Sequence, residues 1–226
     1  MSQIAQRLKT VQHRIEAAAH QAGRNPADIR LLAVSKTQPT AAIDEARQAG
    51  QMAFGESYVQ EAIEKITALN DRHLEWHFIG PVQSNKTQAI AAHFDWLHSL
   101  DRLKIAQRLN DQRPDHSPPL QVCIQVNTSH ESTKSGIDSD KLPELVDLVM
   151  ALPRLQLRGL MTIPAPQTRF EKQREPFAML KRLYEQLREQ QLPVDTLSMG
   201  MSQDLEAAIA EGATIVRIGT AIFGER

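Results

Sequence analysis

Lys36 stands at the end of the run Arg30-Leu-Leu-Ala-Val-Ser-Lys36, between Pro26 and Pro39. An apolar run of this kind reads as a strand buried on both faces. A lysine at its carboxyl end would be partly desolvated, which disfavours the ammonium and turns the amine into a nucleophile. The alternative is a strand-end lysine that only lays its stem along the core. Two later stretches carry groups that bind anions: Ser198-Met-Gly200-Met-Ser202 and Arg217-Ile-Gly219-Thr220. Gly200 would let a ligand approach the backbone. Ser202 is placed to cap a helix that starts near Asp204, and its hydroxyl can also bind phosphate oxygens. Gly219 and Thr220 offer amides and a hydroxyl at the opening of a last helical segment. Ordinary capping and turn formation is the competing explanation for each stretch.

The elements that must position these groups follow a repeating pattern. Ile4, Leu8, Val11, Ile15 and Ala18 have helical spacing, and Gly23 with Asn25-Pro26 ends that leading helix, residues 1–22. Strands are then expected at 31–34, 52–54, 74–79, 96–100, 120–126, 155–163, 196–199 and 215–218. Helical segments follow them at 39–49, 58–69, 85–93, 102–111, 142–152, 170–190, 204–211 and 220–223. Strict alternation of this kind implies a parallel sheet with helices outside. Eight units imply an α/β fold of the (β/α)8 TIM-barrel type, with the barrel over residues 30–224 and a single domain over 1–226. A doubly wound open sheet would want a glycine-rich turn after the first strand, where the chain has Ser35-Lys36-Thr37-Gln38-Pro39.

Bulk composition narrows the partners. Lys and Arg number 26 against 27 Asp and Glu, a formal net charge of -1, which gives no electrostatic footprint for nucleic acid or an anionic membrane. The single cysteine, Cys123, excludes an internal disulfide and a cysteine-based metal cluster, and reads as a buried small hydrophobe. No acidic or histidine cluster has metal-ligand spacing. No apolar run reaches membrane-spanning length, and the polar amino terminus does not look like a signal peptide, so the expected location is cytoplasmic.

In a barrel, the site is built from loops at the carboxyl ends of the strands, often with a phosphate held after strands seven and eight. That places the Ser202, Gly219 and Thr220 groups across the mouth from Lys36. A ligand with both an aldehyde and a phosphate fits, and pyridoxal 5′-phosphate is one: lysine forms a Schiff base and the amides hold the phosphate. Arg217 would face the pyridine nitrogen and keep it unprotonated; a phosphate contact or a salt bridge is the alternative. Ser57, Met161, Ser198 and Gly200 lie at other strand ends and complete the expected cofactor-binding set. His77 reads as a core or turn histidine, Asn85 and Lys86 as the start of a helix, and Glu56 as an anchor of the mouth through backbone amides.

The motifs Ala33-Val-Ser-Lys-Thr37, Phe54-Gly-Glu-Ser-Tyr58-Val-Gln-Glu61, His77-Phe-Ile-Gly80, Gln83-Ser-Asn-Lys86, Lys134-Ser-Gly136, Gly159-Leu-Met161, Leu197-Ser-Met-Gly-Met-Ser202 and Val216-Arg-Ile-Gly-Thr220 resemble, in order, those of the pyridoxal phosphate homeostasis protein family. The resemblance covers essentially the whole chain. It implies a barrel like the alanine racemase amino-terminal domain, with the cofactor on Lys36, its phosphate at Ser202, Gly219 and Thr220, and Arg217 on the ring nitrogen. It also implies a possible second cofactor lysine, Lys134, for which a solvated loop lysine is the alternative. One departure is Ser57, where the family usually has Asn; a hydroxyl offers fewer contacts than an amide.

The implied function is a vitamin B6 cofactor carrier. It would hold pyridoxal phosphate as a lysine Schiff base, buffer it, and deliver it to apo enzymes in transient contacts, with indirect effects on amino-acid and keto-acid balance. No secure catalytic activity and a monomeric state are expected. The alternative is a pyridoxal-phosphate amino-acid racemase, which needs an acid/base on each face of the substrate. Tyr58 and Tyr184 are the chain's tyrosines, and Tyr184 falls in the long helix after strand six. A lysine Schiff-base aldolase acting on a sugar phosphate shares the barrel and the phosphate groups, and would be colourless.

Overall fold

The computed structural model of the chain describes residues 2–129 and 135–224. Eight parallel strands close into a barrel in sequence order, each bonded to the next and β1 to β8. They are β1 (Arg30–Val34), β2 (Ala53–Glu56), β3 (Glu75–Phe78), β4 (Trp96–Leu100), β5 (Leu120–Gln125), β6 (Leu155–Met161), β7 (Thr196–Ser198) and β8 (Ile215–Ile218). Helix α1 (Gln3–Gln21) precedes them. The outer helices are α2 (Thr40–Gln48), α3 (Val59–Leu69), α4 (Thr87–His93), α5 (Leu103–Gln112), α6 (Leu142–Ala151), α7 (Phe170–Glu189), α8 (Leu205–Ala210) and α9 (Thr220–Phe223). The (β/α)8 barrel expected from strict alternation is therefore the observed fold.

Local chemistry explains the elements. The Ser2 hydroxyl accepts from the Ala5 amide and starts α1, and Ile4, Leu8, Val11 and Ile15 bury one face of it. That face lies against α8 and α9. Arg24 finishes the contact by donating to the Ile209 and Ala213 carbonyls at 2.9 and 2.8 Å, satisfying acceptors at the end of α8. The leading helix thus braces the strand-seven and strand-eight side of the barrel.

The strands alternate between two environments. Outward residues such as Ala33, Phe54, Phe78, Leu97, Ile124 and Leu160 join the large apolar shell under the helices. Two small apolar clusters stand apart from that shell: Leu32, Ala53 and Ile215, and Trp96, Cys123 and Met161. Between them the chain buries polar side chains, including His77, His98, Ser198 and Arg217. Buried polar groups need partners, so this interior demands a hydrogen-bond network.

Three local expectations are corrected. In β1, Leu32 and Ala33 are fully buried, whereas Leu31 and Val34 are half-buried, because Val34 borders the open mouth. Asn85 does not begin the fourth helix. Residues Ser84–Lys86 form a 3-10 turn, locked by the Thr87 hydroxyl donating to the Ser84 carbonyl at 3.0 Å, and α4 starts at Thr87. The sixth strand stops at Met161, short of the expected 163, as Ile163 turns out to 37% exposure before Pro164.

Gly159 in β6 has φ +152°, and a Cβ there would collide with the Thr196 carbonyl of β7. Gly159→Ala should therefore cost about 2 to 3 kcal/mol from backbone strain and overpacking. A lowered urea midpoint with unchanged slope would record it, and an unchanged midpoint would refute it.

Candidate functional site

The carboxyl ends of the strands surround a cleft of about 320 Å³, bordered by Val34, Lys36, Ser57, Ile79, Ile163, Met201, Ser202, Asp204, Arg217, Gly219 and Thr220. That volume suits a small ligand. Two other hollows, of about 420 and 460 Å³, lie beside Arg30 and Met52 and between the loops after β4 and β5. Neither includes Lys36 or Arg217. The cleft brings together Lys36, Ser57, Ser202, Arg217, Gly219 and Thr220 of the expected set. Met161, Ser198 and Gly200 are not among its bordering residues. Lys134 lies outside the described residues.

Lys36 is half-buried in a tight turn after β1. Thr37 has φ +64°, a left-handed conformation that costs a β-branched residue about 1 to 3 kcal/mol. A buried cluster holds the turn. Lys65, on α3 and 4% exposed, donates to the Ser35 carbonyl at 2.8 Å and to Glu56 Oε1 at 2.9 Å, and also pairs with Glu61. Glu61 Oε1 accepts from the Thr37 amide at 2.6 Å. The Ser35 hydroxyl donates to Glu56 Oε1 at 2.6 Å. Burial raises the Glu56 carboxyl above its usual range, opposed by the bonds from Lys65 and Ser35. Glu56 thus anchors the mouth through two side chains, where backbone amides were expected.

Across the cleft, Arg217 is 3% exposed and fixed at two points. Its Nη1 donates to Ser198 Oγ at 2.8 Å and its Nη2 to the Thr162 carbonyl at 2.9 Å. Burial lowers its pKa to about 10, opposed by Asp204, so it is a cation at neutral pH. Ser198 connects to His98, His98 to His77, and His77 to Glu75 at the base of the barrel. Arg30 clamps Glu75 with two bonds of 2.8 and 2.9 Å. Burial alone would raise the Glu75 carboxyl, but contacts with His77 and Arg30 outweigh it and bring the pKa from 4.5 to about 2. A carboxylate with a depressed folded pKa contributes stability that is complete above the unfolded value and is lost as pH falls to the folded one. Acid unfolding should therefore carry a contribution between pH 4.5 and about 2 that Glu75→Gln removes.

The strand-seven loop corrects one expectation. Ser202 does not cap α8. Asp204 occupies the cap position, and its Oδ1 turns back to accept from the Met201 amide at 2.6 Å. Ser202 stays half-buried on the cleft wall, and Arg14 of α1 holds its carbonyl at 3.2 Å while bonding Glu206 at 2.8 Å. Gly200 has φ +92°, and the space of a Cβ there is occupied by Ala208 of α8, at 2.5 Å. Glycine at this position is thus required by helix-to-strand packing as well. Gly200 still contributes: its carbonyl accepts from the Arg217 amide at 2.9 Å.

Residues of this architecture not singled out from the sequence include Lys65 and His98; Glu61 stood at the end of the Phe54–Glu61 motif without a role. Glu61 and Lys65 are four apart on α3, the spacing of a solvated surface pair. His98 lies inside a strand that is buried throughout, Trp96–Leu100. A polar residue in such a strand signals a network, though not its members.

Comparison with known proteins places the chain. The sequence model of the alanine racemase N-terminal domain matches residues 6–226. A pyridoxal phosphate homeostasis protein of Pseudomonas aeruginosa is 58% identical over 226 residues, covering 100% of this chain and 97% of the relative. One of Escherichia coli is 55% identical over 229 residues, covering 100% and 98%. Among solved structures, PipY of Synechococcus elongatus with PLP bound superposes at a TM-score of 0.85 with 39% identity, over 98% of this chain and 100% of that one. Alanine racemase of Corynebacterium glutamicum shares the fold, at a TM-score of 0.69 and 17% identity over 95% of this chain and 60% of that one. With its closed barrel and a match along nearly its whole length, the chain belongs to the alanine racemase N-terminal domain family, within the pyridoxal phosphate homeostasis proteins.

Proposed function

We propose that this protein binds pyridoxal 5′-phosphate as a Schiff base on Lys36 and acts in its homeostasis, buffering the cofactor and delivering it to apo enzymes. The observation that carries the reading is a single cleft with an amine on one wall and a fixed cation, two hydroxyls and the Gly219–Thr220 backbone on the other. The donor set fits the group. When bound, the cofactor supplies an aldehyde that condenses with an amine with loss of water, and a phosphate that accepts hydrogen bonds. The PipY structure with PLP bound, at 39% identity, supports the same ligand here.

The residues divide the work. Lys36 presents its amine from a turn that Glu61 and Lys65 hold in place. Ser202, Gly219 and Thr220 would hold the phosphate, and Arg14 steadies the Ser202 backbone. Arg217 would face the ring nitrogen as a cation, which would disfavour a proton on that nitrogen and make the ring a poor electron sink. Ser57 closes the wall nearest β2 with one hydroxyl. Lys134 serves as a second, looser amine. Neither tyrosine borders the cleft: Tyr58 is 54% exposed, and the Tyr184 hydroxyl donates to the Val194 carbonyl outside the barrel. That leaves Lys36 without a tyrosine acid/base opposite it and favours a holder over a racemase. The reading places the protein in the cytoplasm as a monomeric, single-domain carrier. Among the described residues no helix is long and apolar enough to cross a membrane.

The test is transfer. Holo protein mixed with an apo enzyme that requires the cofactor should restore that enzyme's activity faster than the same protein behind a dialysis membrane. Enzyme-like turnover of free amino acids in a deuterium-exchange assay, without transfer, would overturn the carrier role.

A further inference from the structure

A continuous polar chain runs along the inside of the barrel from the mouth to the base. Arg217 Nη1 lies 2.8 Å from Ser198 Oγ. Ser198 Oγ lies 2.7 Å from His98 Nδ1, and His98 Nε2 lies 2.8 Å from His77 Nδ1. His77 Nε2 lies 2.7 Å from Glu75 Oε1, an electrostatic contact whose N–H points off the oxygen. The two histidines and Ser198 are fully buried.

One donor order in this chain gives the buried serine hydrogen an acceptor. A guanidinium donates and never accepts, so Ser198 Oγ is the acceptor from Arg217. That oxygen has a second lone pair, but His98 Nδ1 is the acceptor within reach for the serine proton, and this order leaves Nδ1 unprotonated. A neutral His98 carries its proton on Nε2 and donates it to His77 Nδ1. His77 in turn carries its proton on Nε2, the nitrogen beside the Glu75 carboxylate, where the negative charge favours it without an aligned hydrogen bond. Burial keeps both imidazoles neutral, against the pull of Glu75 on His77. A second proton on His98 would leave Ser198 Oγ facing two cationic donors with no acceptor for its own hydrogen.

The geometry points to His98 and His77 as positioning residues for the cofactor cleft: a one-way donor chain, anchored on Glu75, sets the plane of the Arg217 guanidinium. The chain uses one Nη1 hydrogen, the Thr162 carbonyl takes one from Nη2, and the remaining N–H groups are left for the cleft. This rests on the reading that Arg217 meets the ring of pyridoxal phosphate. It adds that the ring partner is aligned from β3 and β4, strands with no residue among those bordering the cleft.

Two measurements on the full chain test it. Nitrogen-15 histidine spectra of the cofactor-free protein at neutral pH should show Nδ1 of His77 and His98 without a proton and Nε2 with one. The opposite tautomer, or a doubly protonated His98, overturns the proposal. Pyridoxal phosphate titrations followed by visible absorbance should show His98→Phe weakening binding about tenfold and shifting the band, since it removes a bond to a charged donor's partner. His98→Asn, whose Oδ1 can accept from Ser198, should restore most of both. Should His98→Phe not fold, Ser198→Ala cuts the same link with less bulk and should give the same loss. Unchanged affinity and band in the variant that folds refutes the role. A wild type that binds no pyridoxal phosphate refutes the cofactor reading instead, while the tautomer result still decides the donor order.

Discussion

Lys36→Ala should remain folded and lose the visible absorption band of lysine-bound pyridoxal. The side chain is half-buried, and the hydrogen bonds that hold its turn come from the Ser35 carbonyl and the Thr37 amide. Removing it should shift stability by no more than about 1 kcal/mol. The phosphate-binding groups and Arg217 stay in place, so the variant should still bind the cofactor weakly and without covalent attachment. Absorbance and equilibrium dialysis separate these two effects. A variant that keeps the full band means that another amine carries the cofactor.

Lys65→Met should be the most damaging of the single substitutions away from the cleft. It removes the cation from a buried cluster and leaves Glu56 at zero exposure with the Ser35 hydroxyl as its bond. Breaking one partner of a buried pair costs about 3 to 5 kcal/mol. The cost should depend on pH with a definite sign. Burial already raises the Glu56 carboxyl, and loss of Lys65 raises it further. A group with a raised folded pKa favours folding at low pH and loses that contribution as pH rises through the folded value. The gap to wild type should therefore be wide at neutral pH and narrow under mild acid. Glu56→Gln added to Lys65→Met should recover part of the loss. Urea unfolding at two pH values checks both, and a gap that does not change with pH would mean that Glu56 is not the group left behind. The same variant should weaken cofactor binding, because the strained Thr37 turn loses its brace.

The barrel was legible in the sequence because its signal repeats eight times. A misplaced boundary, such as Asn85 for Thr87 or 163 for Met161, does not change the alternation. The cleft was legible where a residue's strand-end position alone brings it to the mouth. Lys36, Ser57, Ser202, Arg217, Gly219 and Thr220 all converge for that reason. What stayed hidden depends on packing between distant elements. Lys65 has the spacing of a surface residue, and only closure of β1 against β2 lays α3 over the Lys36 turn. That packing also demands a glycine at 200 shows only once Ala208 is seen beside it. The link from Arg217 to His98 joins positions more than a hundred residues apart, which no local pattern encodes.

The most direct test of the central claim is borohydride reduction of the protein with one equivalent of pyridoxal phosphate, followed by peptide mass mapping. The reduced bond fixes the carrier amine permanently. The structure predicts one pyridoxyl group per chain, on the peptide that contains Lys36. No label, or a principal label on any other lysine, contradicts it.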